Sequence, residues 1–252
     1  MSWRVRMSSR FAAFLTSLGF QAGFNYDGFQ NIGLAATLLP ALRDLYPEPD
    51  DLERALERHL RYFNTNPYLA TFTAGALIAA EEENLERGGG LEADTTWLDR
   101  FKQASGSVLG NLGDRFFWAG LQPLACLAGV IAFLLSPLYG ILVLLLLFNI
   151  PHLLIRAEGM RLGCVAGRGV VTIVAGDLGA RAIRWVRRLA ALALGAVPPL
   201  LLVHPSTPDG VEGAALIAGT IGVGWLVLRR ERGRFPSLLV LTLLLTSLLV
   251  VF

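Results

Sequence analysis

Charge is scarce in this 252-residue sequence: 17% of its residues are Asp, Glu, Lys or Arg, 54% are hydrophobic, and the mean hydropathy is +0.53. A soluble domain commits about a quarter of its residues to charge, so this composition lacks the polar surface of a soluble enzyme, with or without an anchor. Cysteine is scarcer still, with two residues. Cys126 and Cys164 stand in apolar or Gly-rich sequence at no metal-ligand spacing, which reads as two ordinary buried thiols and leaves no metal site. No HExxH pair, nucleophile elbow or phosphate loop occurs, so a self-contained membrane enzyme has no machinery here and no cofactor is expected. The arginines come without a recognition motif or aromatic platform, which argues against nucleic acid.

Long apolar runs are what the sequence does contain. Spanning helices are expected at roughly 121–135, 138–155, 189–203, 213–228 and 237–252. Arg156, Arg161, Arg168, Arg181, Arg184, Arg187 and Arg188 share one inter-segment region with only Glu158 and Asp177 as acids, a cytoplasmic signature. The segment HPSTPDGVE at 204–212 has no Lys or Arg and RRERGR at 229–234 has four Arg, which places 204–212 outside, 229–236 inside and the C-terminus outside. Gly159, Gly163 and Gly167, four residues apart, offer a surface for close helix contact.

The N-terminal half is interrupted. Basic residues and a moderately apolar stretch open it, but Gln21 breaks that stretch and no small-x-small site follows, so a retained, partly buried helix is expected rather than a cleaved signal. Residues 8–45 read as two helical pieces broken near Gly23 and Gly28, and Asp50 as the cap of an amphipathic helix over 51–63 with Leu52, Leu56, Leu60 and Phe63 on one stripe. PYLATFTAGALIAA at 67–80 is too short for a full crossing and reads as a re-entrant or buried helix, with Glu81, Glu82 and Glu83 returning it to water. Gly106, Gly110 and Gly113, with Asn111, Asp114 and Arg115 in an apolar stretch, predict broken backbone. The fold class expected is an all-α polytopic membrane protein: short or re-entrant segments first, transmembrane helices after them. Its two regions are 1–163, with polar helix breaks and the first crossings, and 164–252, a Gly-rich segment followed by C-terminal transmembrane helices.

Four ordered blocks carry a resemblance. They are FNYDGFQNIGLAATLLPALRDLY at 24–46, LERALERHLRYFNTNPYLATFTAGALIAAEEE at 52–83, GNLGDRFFWAGLQPL at 110–124 and LLFNIPHLLIRAEGMRLG at 146–163. Together they resemble the IID membrane component of the mannose/fructose/sorbose class of the bacterial sugar phosphotransferase system. The resemblance implies a multi-pass subunit of the bacterial inner membrane that pairs with a IIC subunit, in a trimer of heterodimers embedded in membrane lipids. It implies sugar translocation coupled to phosphorylation by IIB, which IIA recharges, with no phosphorylated residue on IID itself. A IID-like protein that binds membrane partners without transporting is the alternative. The sequence departs from the family pattern at Asn66, often His, at Arg115, often Ser, and at Gln122, often Arg.

Among the candidate substrate-binding or gating residues, each has a plainer reading beside the functional one. Asn25, Tyr26, Gln30 and Asn31 set neutral polar groups beside aromatics, suited to a sugar because amides donate and accept, or to a helix break or subunit contact. Asn64, Thr65 and Asn66 precede Pro67 and suit either a helix cap or a pathway lining. Glu81 and its two neighbours read as acceptors for sugar hydroxyls, as a gate, or as a solvated charge run. Asp114 is expensive in an apolar stretch unless wetted or paired, with Arg115 or Arg156 as the expected partners. His59 stands among charges on an amphipathic helix and is not expected to carry phosphate.

Overall fold

The computed structural model describes residues 4–92 and 96–203, and among these the regular structure is helical, with only isolated bridges between extended residues. The expected crossings at 213–228 and 237–252, and the sidedness read from 204–236, lie outside the described residues. The chain divides into two compact units: Met1–Trp118 with Asn149–Ile183, and Ala119–Phe148 with Arg184–Phe252.

The first unit starts with α1 (Met7–Ser17), α2 (Asn31–Leu45), α3 (Pro49–His59) and α4 (Ala70–Glu86). The break expected near Gly23 and Gly28 is a non-helical connection between Ser17 and Asn31. Pro49 opens α3 where its missing N–H costs nothing, so Asp50 and Asp51 fall in the first turn instead of capping it, against the positive end of the helix dipole. Leu34, Leu38, Leu42 and Leu45 of α2 form the stripe that packs on Ala70, Ala74, Leu77 and Ile78 of α4, with Phe20, Phe63, Leu98, Met160 and Cys164 completing the core. The stripe on α3 differs from expectation. Leu52 and Leu56 pack against the core and Phe63 is buried, but Leu60 is exposed, while Arg58 and His59 go inside to meet Glu81 on α4.

Two acids expected in water are also inside. α4 continues through the glutamates to Glu86, and Glu81 and Glu82 are only 2% and 6% exposed because cations and N–H donors meet them there. Glu83 alone behaves as a surface charge, pairing with Arg87.

The glycines of 106–113 do not break the backbone. α5 (Thr96–Gly113) is continuous and runs into π-helical turns over Asp114–Leu121. Its glycines permit close approach instead: a Cβ on Gly106 would lie 2.5 Å from the carbonyl oxygen of Asn64, and one on Gly113 would collide with the Asn66 side chain. α6 (Gln122–Phe133) and α7 (Pro137–Ala166) come next, then a 3-10 turn at Gly167–Gly169, α8 (Val170–Ala175) and α9 (Asp177–Val203).

Two helical stretches, Thr96–Phe133 and Pro137–Ala175, are long and apolar enough to cross a bilayer. Only 6% of the most apolar window of the second is buried, so this chain does not cover it as a soluble core would. Gly159 and Gly163 make the expected close contact, both against α4, whereas Gly167 takes φ +52° and serves the turn that ends α7. In the second unit, Gly129 of α6 and Gly140 of α7 bring the hairpin helices together, and Cys126, expected inside, is exposed.

Candidate functional site

Two short connections, 24–31 and 60–68, form a polar seam in the first unit. The turn at 25–29 closes on itself through Asn25 N–H to the Phe29 carbonyl at 3.0 Å and Phe29 N–H to the Asn25 carbonyl at 2.9 Å, which holds Phe29 at φ 58°. The Asn25 Oδ1 accepts from the Asp27 and Gly28 N–H groups at 3.1 and 2.8 Å. Its Nδ2 donates to Asn31 Oδ1 at 2.8 Å, and Asn31 Nδ2 donates to the Leu60 carbonyl. Gln30, 3% exposed, ties the connections together: its N–H donates to the Phe63 carbonyl and its Oε1 accepts from the Thr65 N–H, both at 2.9 Å.

The seam ends at the membrane helix. Asn66 Oδ1 accepts from the Tyr68 N–H at 3.1 Å, capping the turn before α4, and Asn66 Nδ2 donates to Asp114 Oδ1 at 3.0 Å. Asp114 therefore meets a neutral amide where Arg115 or Arg156 was expected. Arg156 is buried, donates to the Ser17 carbonyl, and lies 5.4 Å from the ring centre of Tyr68. That ring also meets Phe117, Trp118 and His152 at centroid distances of 4.5, 5.4 and 5.0 Å.

The structure sorts the sequence candidates into two groups. Asn25, Gln30, Asn31 and Asn66 spend hydrogen bonds on holding the connections, whereas Tyr26, Asn64 and Asp114 are exposed, Tyr26 to 94%. Trp118 was not singled out from the sequence. It keeps 42% of its surface open close to Asp114 in the chain, and only the aromatic run FFW hinted at it.

Glu81 belongs to a separate cluster. Its Oε2 accepts from the Tyr46 hydroxyl at 2.9 Å and from Arg58 Nη2, and its Oε1 faces His59 Nε2 at 2.8 Å. Burial, and then the Glu81 charge, push the Tyr46 phenol up to about 12, so it remains a donor. Burial also lowers His59 below its ordinary 6.5, outweighing its hydrogen bond and attraction to Glu81. The His59 Nδ1 has no hydrogen-bond partner, so protonating it would bury an unmatched N–H. Lys102, missed from the sequence, closes this cluster from α5 by donating to the Arg58 carbonyl at 3.1 Å and pairing with Asp99 at 3.2 Å.

Residues 4–208 match the family described as the phosphotransferase system mannose/fructose/sorbose family IID component. The chain is 30% identical over 185 residues to the mannose-specific EIID component of Escherichia coli, covering 73% of this chain and 64% of that protein. It therefore spans just under two thirds of that relative's length. The sorbose-specific EIID component of Klebsiella pneumoniae is 27% identical over 219 residues, covering 84% of this chain and 78% of the relative. Among solved structures, one described as a membrane protein aligns with a TM-score of 0.73 at 24% identity, over 97% of this chain and 96% of that one. A mannose transporter ManYZ solved with a microcin aligns with a TM-score of 0.60 at 24% identity, over 97% and 95%. These two likenesses establish the fold.

Proposed function

Because the chain belongs to the IID component of the mannose/fructose/sorbose family of the phosphotransferase system, we propose that it pairs with a IIC subunit to move a mannose-type hexose or related sugar across the bacterial inner membrane. IIB phosphorylates the sugar on the cytoplasmic side and IIA recharges IIB, so that trapping the sugar as its phosphate drives uptake. The complex is a trimer of such heterodimers in the lipid bilayer, and the chain crosses that bilayer several times.

The observation that supports this reading best is Asp114. An exposed carboxylate opens the π-helical turns of an apolar stretch, with one oxygen held by the Asn66 amide and Trp118 four residues on. Carboxylates accept sugar hydroxyls, and an open indole face covers the apolar C–H side of a pyranose. Asn66 fixes the carboxylate, while Asn25, Gln30 and Asn31 keep the two connections in register. Tyr26 and Asn64 face outward as contacts to the sugar or to IIC. Glu81 acts from inside the fold, holding α3 against α4.

The test is uptake and phosphorylation of radiolabelled sugars in vesicles carrying this chain and its cognate IIC, with IIA, IIB and the phosphate donor supplied. Uptake requiring every component is expected, and Asp114→Asn should lower it by about tenfold or more, the size of a lost charged hydrogen bond, while IIC association persists. Stable IIC association without uptake of any common hexose or amino sugar overturns the transport reading in favour of a structural or regulatory role.

A further inference from the structure

Six arginines and a single acid, Asp177, lie between Gly159 and Val203. In the first unit Arg161 donates to Glu158 at 2.8 Å and Arg168 lies 4.0 Å over the Trp97 ring. Arg184, Arg187 and Arg188, in the second unit, differ from these. They occupy consecutive turns of α9, all three are exposed, and no acid among the described residues pairs with them. Arg188 lies 5.6 Å from the Trp185 ring centre.

The apolar neighbours of these arginines on α9 decide the environment. Trp185 is 60% exposed, Leu189 46% and Leu192 70%, and no charge occurs from Leu189 to Val203. A face turned to water would not expose such leucines beside a tryptophan, and a face sunk in acyl chains would not carry three arginines. Guanidinium and indole together, and then uncharged aliphatic surface from Leu189 onward, is the order met on passing from lipid headgroup to lipid tail. Positive charge without a counter-charge favours a lipid with net negative charge over a zwitterionic one, whose own cation would oppose the arginines.

We propose that Arg184, Arg187 and Arg188 form a headgroup site for anionic phospholipid, with Trp185 seated among them at the headgroup level. At spacings of three and four residues, Arg184 shares a helix face with both other arginines, which brings their donors to one phosphodiester or to two neighbouring ones.

The experiment uses the full chain in nanodiscs holding equal amounts of phosphatidylglycerol and phosphatidylcholine, with retained lipid counted by native mass spectrometry. Phosphatidylglycerol should be enriched in the unaltered protein and the enrichment should fall as salt is raised. Each of Arg184→Gln, Arg187→Gln and Arg188→Gln should reduce it by up to about fivefold, and the triple Lys variant should keep most of it. Equal retention of the two lipids by the unaltered protein overturns the proposal without any variant having to fold. So does enrichment that survives the triple Gln variant. Loss of a co-purifying membrane subunit from that variant with an unchanged lipid profile assigns the face to a protein partner, which also overturns it.

Discussion

Glu81 brings together a phenol, a guanidinium and an imidazole inside the first unit. A buried carboxylate survives only where donors replace its water. Glu81→Gln removes the counter-charge of an Arg58 that is itself 8% exposed, and should cost about 3–5 kcal/mol, read as a lower unfolding midpoint in detergent. The same cluster sets a pH dependence. With the folded-state value of His59 depressed, the unfolded chain takes up a proton as pH falls through about 6.5 while the folded chain resists. His59 therefore imposes no penalty above that pH, and stability declines progressively below it. Midpoints measured across the range should show this decline, and His59→Gln should flatten it. None of this was legible in the run of three glutamates, because such runs are usually solvated. Partners 22 and 23 residues earlier are invisible to a reading of local spacing. Asn66 and Asp114 were legible as polar residues in unusual places, but the bond between them spans 48 residues and needs the fold.

Helices were easier to read than their ends. Apolar runs and their interruptions located α2, α4 and α7, but α7 extends to Ala166, well beyond the expected end at 155, because Arg156 does not stop it. Its guanidinium is buried against the Tyr68 ring and donates to the Ser17 carbonyl, which hold it within the fold. The spacing of Gly159 and Gly163 did disclose a helix contact. A Cβ on Gly163 would stand 2.5 Å from the Phe72 carbonyl oxygen and 2.9 Å from the Ala76 nitrogen, and one on Gly75 would stand 2.5 Å from the Met160 carbonyl oxygen. Backbone atoms cannot swing aside, so Gly163→Val should destabilise by about 1–3 kcal/mol or more through overpacking, while Gly169→Ala, in open space, should be near neutral by the same midpoint. Gly106 and Gly113 were misread as a break because glycine marks both chain interruption and close approach, and only the neighbour at Asn64 or Asn66 distinguishes them.

At the scale of the molecule, low charge and long apolar runs identified a membrane protein, and four ordered blocks identified its family, which the match over residues 4–208 establishes. The first two blocks lie in the first unit, where their polar residues bond to one another before meeting anything else. That has a consequence for Tyr26. Its turn is closed by two reciprocal backbone bonds and two more to the Asn25 side chain, so the ring stands on a fixed post. A surface that docks against it loses little conformational freedom in doing so. Tyr26→Ala should leave the unfolding midpoint within about 0.5 kcal/mol, yet shorten the lifetime of the proposed complex with IIC in detergent. Asn25→Ala, which removes the two side-chain bonds of the post and leaves the ring intact, should shorten that lifetime too, because the tyrosine would then have to be ordered anew at every encounter.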